Sequence, residues 1–440
     1  MTKILSTIGP ASEGKNLKYF LKDTNLIRLN LSHNTLTWHK ATIKKIKKNN
    51  PEIMILADIP GIKPRTLNEK TIFIKKNKLV KFSYLHNKNK DVIRLSNPLP
   101  KIKKNSKIFY LSDGLYEFKN LKYHNKILQG VSCQNFNLKK KKGLNIPFSI
   151  YDDVAQEKLY FSTIKKIIKL DIDCVGISFI QNPDILLRLK KKFPKLIFIS
   201  KIENYLGYEN RKEIINFSDA IMIDRGDLAA EVGVLKLLDY TNDIIKDTKK
   251  CGKPIIIATE NLNSLIYNNI PTKSDVVNIE YYMRKKVDYL MLSDETATSL
   301  NGRNTLKWLS DFIYNKNKVI NNLKEIKIEE IIKNLDNQTL VIFSKKGYFY
   351  NKINTLDFNN LIFFTENMKL GKNLNLKRNV KSVIATFPKK HLYNFLYKSI
   401  KENKKLIFKH NKYAYLLSVI FPRKNSRANS LSIVQEKDFK

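Results

Sequence analysis

Cysteine is scarce in this chain: three residues in 440, Cys133, Cys174 and Cys251, set far apart. That spacing offers neither a disulfide framework nor a paired-cysteine metal site, and all three thiols are expected to be reduced and structural. No apolar run approaches the roughly 18 residues a membrane-spanning helix needs. A basic-then-apolar leader is missing as well, since Thr7-Ile8-Gly9-Pro10 already reads as a strand entering a turn. A cytoplasmic protein is expected. Glycine-rich phosphate loops of the Walker and dinucleotide kinds do not occur, so any nucleotide must be held by other means.

Acidic residues are also few, 40 against 81 Lys and Arg, which leaves a formal charge of +41. The excess is mostly lysine, is spread along the whole chain and comes with many Asn and Ile. Aromatics do not interleave with it in an RNA-reading pattern. It reads as a solvated surface whose field gathers anions, not as a specific nucleic-acid site. What is present is globular: 42% hydrophobic and 28% charged residues, in a chain long enough for two or three domains.

Eight short apolar runs close on polar residues. They are Ile4–Ile8, Leu26–Leu31 with Arg28 and Asn30 leading to Ser32, Ile53–Ile59 with Asp58, and Cys174–Ile180 with Ser178. Leu196–Ile202 leads into Glu203, Ala220–Ile223 into Asp224, Arg225 and Asp227, Ile255–Ala258 into Thr259 and Glu260, and Tyr289–Leu292 into Ser293, Asp294 and Glu295. Lys40–Lys48, Ile185–Lys192 and Leu235–Lys250 read as helices between runs. Strand–helix alternation repeated eight times predicts a (β/α)8 TIM barrel with its chemistry at the C-terminal strand ends. The barrel is expected over residues 1–65 and 149–318.

The interruption at 66–148 contains strand-like Thr71–Lys75, Lys78–Phe82 and Lys107–Leu111, with turns at Ser96-Asn97-Pro98 and Ser112-Asp113-Gly114. It reads as a small inserted β-barrel domain, placed at the rim to act as a lid. Leu340–Phe343, Leu361–Phe364, Val383–Ala385 and Leu417–Phe421 predict a C-terminal α/β domain over 319–440.

Lys201 and Glu203 are two apart, so a strand points both to one face. Such a pair forms either a salt bridge or, with Asp227 from the next strand, a magnesium site beside a lysine that neutralises a phosphoryl group. Arg28 can grip a phosphate in bidentate fashion, and Asn30 and Ser32 share its face. His33 reads as a hydrogen-bonding group more than a general base.

Together these residues resemble the pyruvate kinase family. The resemblance lies in Thr7-Ile8-Gly9-Pro10-Ala11-Ser12, Arg28-Leu29-Asn30-Leu31-Ser32-His33, Asp58-Ile59-Pro60-Gly61-Ile62-Lys63-Pro64-Arg65 and Lys142-Gly143-Leu144-Asn145-Ile146-Pro147. It continues in Ser200-Lys201-Ile202-Glu203-Asn204, Arg225-Gly226-Asp227-Leu228 with Glu231, Ala258-Thr259, Pro271-Thr272 and Glu295-Thr296-Ala297. The resemblance implies phosphoryl transfer between phosphoenolpyruvate and ADP, giving pyruvate and ATP in glycolysis. It implies Lys201 as the phosphoryl-transfer lysine, Glu203 and Asp227 as Mg2+ ligands, and the Arg225-Gly226-Asp227 backbone against the substrate carboxylate. It further implies Arg28 and Arg65 on phosphate, Thr259 near the carbon that takes a proton, and Asn30, Ser32 and Asp58 at a monovalent-cation site. Asn30, His33, Arg65 and the lid's Asp113 would face the nucleotide. A homotetramer without a nucleic-acid or membrane partner is the implied assembly.

Several positions depart from the family pattern. Lys63 stands where many members carry Glu, and its ammonium is expected to replace K+. Gln181 replaces Arg, Glu260 replaces Gln, and Asn261 and Asn263 replace Met and Glu. Asp224 replaces a small residue and Ala229 replaces Gly, and each of these positions is expected close to the site. Asp224 and Glu260 add negative charge near bound phosphates, which weakens binding unless they are paired. Ser344-Lys345-Lys346-Gly347-Tyr348, followed by Phe349, is a poor phosphate loop, so activation by a sugar bisphosphate is not expected. Pro422–Ile433 matches the family's closing hairpin only loosely. The competing expectations are a barrel lyase acting on phosphoenolpyruvate or a 2-oxo acid, and a paralogue that binds ligands or RNA without catalysis.

Overall fold

The structure, a computed structural model, describes residues 2–85, 91–320, 335, 338–347, 360–375, 380–388, 392–409, 411–418 and 430–439. Tyr348, Phe349 and most of the expected closing hairpin lie outside them. The chain divides into two compact units, Met1–Val319 and Ile320–Lys440.

In the first unit eight parallel strands close a barrel. They are β1 (Lys3–Thr7), β2 (Leu26–Asn30), β3 (Met54–Ile59), β12 (Cys174–Ile177), β13 (Ile197–Ile202), β14 (Ala220–Asp224), β15 (Ile255–Ala258) and β16 (Tyr289–Leu292). The eight apolar runs of the sequence are these strands. Their side chains alternate between two cores. Ile27, Ile55, Val175 and Ile221 face the helices, whereas Leu26, Leu56, Cys174, Met222 and Ile256 fill the barrel interior. Each fully buried aliphatic side chain contributes about 1.5–3 kcal/mol. Cys174 is thus structural, but Cys251 is exposed and Cys133 half-buried.

Helices α1 (Leu17–Asp23), α2 (Leu36–Asn49), α3 (Asp153–Ile167), α4 (Pro183–Lys192), α5 (Tyr205–Glu209), α6 (Arg211–Phe217), α7 (Arg225–Val232), α8 (Val234–Lys250), α9 (Lys273–Arg284), α10 (Asp294–Ala297) and α11 (Gly302–Ile320) connect the strands. Their starts are set by local chemistry. Asn182 caps α4 ahead of Pro183, and Thr272 with Asp275 forms a reciprocal capping box on α9. At the opposite rim Asp173, Asp219 and Asp288 each accept the N–H of the residue that opens or leads a strand, Ile55, Phe198 and Ile255, at 2.8 Å. That regularity holds the bottom of the barrel and leaves the top free for chemistry.

Between β3 and α3 the insertion forms two sheets around one apolar core. Strands β11 (Leu144–Asn145), β7 (Phe109–Leu111), β8 (Tyr116–His124), β9 (Ile127–Ser132), β5 (Leu79–Ser83) and β6 (Val92–Arg94) make the first, and β10 (Phe136–Leu138) with β4 (Ile72–Ile74) the second. Phe82, Phe109 and Phe118 sit at its centre, with Phe109 and Phe118 stacked at 4.7 Å.

The second unit is a five-stranded sheet in the order β19 (Val380–Ile384), β18 (Asn360–Thr365), β17 (Thr339–Phe343), β20 (Tyr413–Ser418), β21 (Ser430–Gln435). Only β21 runs antiparallel. Its two faces bury separate clusters, one around Leu340 and Phe363, the other around Phe343, Phe364 and Ile400 of α13 (Leu392–Glu402), with α12 (Met368–Leu374) contributing Leu374 to the first.

Candidate functional site

The strands end around a cavity of about 580 Å3, roofed by the insertion. Strand periodicity aims Arg28 and Asn30 of β2, Asp58 of β3, and Lys201 of β13 into it, with Glu203 just beyond. Asp58 is the hub. It takes Arg28 Nε at 2.8 Å and Nη2 at 2.7 Å on Oδ2, and Ser178 Oγ at 3.2 Å on Oδ1. Lys201 Nζ lies 3.4 Å from Asp58 Oδ2, 3.1 Å from Glu203 Oε2 and 3.3 Å from Asp224 Oδ2. Burial alone would strip the lysine proton, but Asp58, Glu203 and Asp224 outweigh it and raise the pKa above the usual lysine range. Burial would protonate Asp58, yet Lys201 and Arg28 hold its pKa down. Burial pushes Glu203 up, against the pull of Lys201.

A second cluster joins the insertion to the barrel. Lys63 is buried and donates to Asp113 Oδ1 at 2.7 Å and to Asp227 Oδ1. The Lys63 ammonium draws the pKa of Asp113 down to about 2. Asn145, in the strand that returns from the insertion, donates to Asp227 Oδ1 at 3.3 Å and to Glu231 Oε1 at 3.1 Å. Tyr151 adds a third bond, 3.1 Å to the same Glu231 oxygen.

Thr259 closes the third side. Its φ of +61° and that of Glu260, +52°, are left-handed, costly for a β-branched residue. Arg225 holds it there: the guanidinium donates to Thr259 O, to Asn261 Oδ1 at 3.0 Å and to Asn278 Oδ1 at 2.7 Å. The Thr259 hydroxyl accepts the Gly226 N–H at 3.0 Å, at the start of α7. It lies 3.2 Å from Asp224 Oδ1.

Arg28, Asn30, Ser32, His33, Asp58, Lys63, Arg65, Asp113, Lys201, Glu203, Gly226, Asp227 and Thr259 all line the cavity. Three expectations change. Arg225, expected against the substrate, does not line the cavity, and its guanidinium is spent on Thr259, Asn261 and Asn278. Gln181 does not line the cavity: it bonds Tyr151 O at 2.6 Å and Asp153 Oδ1 at 2.7 Å and serves the framework. Lys63 bonds Asp113 and Asp227, not Asn30, Ser32 or Asp58, while Asp58 takes its positive charge from Arg28 and Lys201. His33 is kept neutral by burial and by nearby Arg65 and Arg28, which lower its pKa. Lys140 and Lys141, on the cavity wall, were missed, although the run Lys139–Lys142 before Gly143 was visible in the sequence. Asn145 and Glu231 lay in recognised motifs without a role, because nothing in sequence spacing links them to Asp227.

Residues 1–305 match the family description "Pyruvate kinase, barrel domain". The chain belongs to the pyruvate kinase family. It is 32% identical over 310 residues to a pyruvate kinase of Thermococcus litoralis, covering 67% of this chain and 65% of that protein. It is 34% identical over 320 residues to one of Staphylococcus epidermidis (67% and 53%) and 30% identical over 328 residues to one of Thermotoga maritima (70% and 69%). The match to the first two thus spans less than two thirds of their length. Against that family pattern, the added Asp224 is paired, with Lys201 and Thr259, whereas the added Glu260 stands exposed on the rim.

The donors fit the divalent cation the family generally uses. One oxygen each from Glu203, Asp224 and Asp227 lies within 4.8 Å of the others. Carboxylate oxygens are the ligands magnesium takes. Glu203 Oε2 is sealed from solvent and accepts no hydrogen bond, although Lys201 stands near.

Proposed function

We propose that this protein is a magnesium-dependent pyruvate kinase, transferring a phosphoryl group between phosphoenolpyruvate and ADP in cytoplasmic glycolysis, with the insertion as a lid over the barrel. The observation that carries the reading is Lys201, charged and held among Asp58, Glu203 and Asp224 at the C-terminal rim. An ADP oxygen attacks the phosphorus, the bond to the enolate oxygen breaks, and the enolate carbon then takes a proton to give pyruvate. Lys201 and Arg28 neutralise the transferring group, which needs positioning and charge more than covalent help. Arg65 and the neutral His33 face the nucleotide side. Asp227, at the start of α7, offers its backbone N–H to the substrate carboxylate, beside the Gly226 N–H that Thr259 accepts. Thr259 holds the proton side through its hydroxyl. Glu203 and Asp227 would hold a magnesium ion, which would supply further charge neutralisation beside Lys201. The Arg28–Lys201 pair supplies fixed positive charge on Asp58, where a monovalent cation would otherwise serve, and Lys63 adds a buried ammonium on Asp113 and Asp227, so activity is read as potassium-independent. The family's homotetramer is part of the same reading.

The test is pyruvate formation from phosphoenolpyruvate, ADP and Mg2+, with and without K+. Turnover should be unaffected by K+ and should fall by about three orders of magnitude or more in Lys201→Met, as when a transition-state charge is removed. No turnover by folded protein would reject the kinase reading, and strong activation by K+ would reject the role given to Lys63.

A further inference from the structure

Asp224 is a charge for which the reaction above has no use. It ends β14, is 6% exposed, and divides its oxygens between Lys201 Nζ at 3.3 Å and Thr259 Oγ1 at 3.2 Å. Buried carboxylates must be matched. The ion-paired network here sets three of them, Asp58, Glu203 and Asp224, with the half-buried Asp227 and the exposed Asp113, against three cations, Arg28, Lys63 and Lys201. Carboxylates outnumber cations in it. The shortfall lies on one side. Lys201 alone faces Glu203 and Asp224, and Glu203 Oε2, 0% exposed, accepts no hydrogen bond. Opposite ligands around magnesium stand about 4.2 Å apart. Oxygens of Glu203, Asp224 and Asp227, all within 4.8 Å of one another, therefore fit one ion.

We propose that Asp224 is a third carboxylate ligand of the divalent cation, beside Glu203 and Asp227. The inference rests on the reading of those two as the cation's ligands. Magnesium sites usually draw one or two protein carboxylates and complete themselves with substrate oxygens. A third makes the site self-sufficient, so the cation loads before any substrate arrives. Loading also turns Asp224 away from Lys201, which frees the ammonium for the phosphoryl group.

The experiment is Mn2+ titration of the full-length protein without substrates. Free Mn2+ is followed by its electron paramagnetic resonance signal, and the waters on bound Mn2+ by proton relaxation. Wild type should bind the ion. Asp224→Ala should weaken binding at least about tenfold, the least expected for a lost ligand, and add a water to the bound ion. Asp224→Asn, which preserves shape, should fall between. Melting curves in chelator establish that each variant is folded, and Asp227→Asn marks the site by weakening binding. Equal affinity and equal water count in wild type and both Asp224 variants, with Asp227→Asn still impaired, would overturn the role of Asp224 alone. Binding indifferent to Asp227→Asn would instead overturn the underlying assignment, and the proposal with it.

Discussion

Glu231 shows how far one buried residue can depart from its ordinary chemistry. Burial raises its pKa from 4.5 to about 8, although Asn145 and Tyr151 both donate to Oε1. A pKa raised on folding means that the native state keeps a proton the unfolded chain has lost. Stability is therefore fullest below the unfolded value and falls by about 1.4 kcal/mol per pH unit until pH passes the folded value. Glu231→Gln keeps the accepting oxygen and removes the titration. Its melting temperature should lose less than wild type between about pH 5 and 8; parallel curves for the two proteins would reject the assignment. At this scale the sequence was informative wherever strand period decides direction. Arg28, Asn30, Asp58 and Lys201 were readable as inward-facing because alternate residues share a face. It misjudged Gln181 and the partners of Lys63, since those depend on which loops meet.

At the scale of elements, the insertion returns to the barrel through Gly143 and β11. Gly143 is not among the glycines in the left-handed region, so its backbone does not itself forbid alanine. A Cβ there, however, would lie 2.4 Å from Lys63 Cε and 2.6 Å from Nζ. Gly143→Ala must therefore move the ammonium that bridges Asp113 and Asp227. We expect catalytic efficiency with ADP to fall by about 10- to 100-fold, the cost of a misplacement near 1 Å, while the melting temperature barely changes. An unaffected efficiency would show that the Lys63 bridge does not matter to the lid. Element limits were partly legible. The run Cys174–Ile180 promised a strand to its end, but β12 stops at Ile177. Phe179 turns to φ +58° and donates its N–H to Glu203 Oε1 at 2.7 Å. Helix α9 escaped notice because it buries only Ile279 and Tyr282 fully, too few for a visible period.

At the scale of the molecule, each unit carries its own core. The barrel and its insertion bury the clusters around Ile27, Leu56 and Phe118, and the five-stranded sheet buries those around Leu340 and Phe364. Separate cores predict separate folding. A chain ending at Val319 should melt cooperatively and retain Mn2+ binding; loss of cooperative melting would show that the first unit depends on the second. No described helix is long and apolar enough to cross a membrane.

The sequence by itself determined the barrel, because eight alternations of apolar strand and helix have one compact closure, and it determined which strand ends carry charge. It also carried the motifs of the family. Tertiary structure alone decided the pairings: Lys63 with Asp113 and Asp227, 50 and 164 residues further along the chain, Asn145 with Glu231, and Asp224 between Lys201 and Thr259. Periodicity fixes the face a side chain takes within its own element. The partner it meets is fixed by closure of the barrel and by the path of the insertion, which no local pattern encodes.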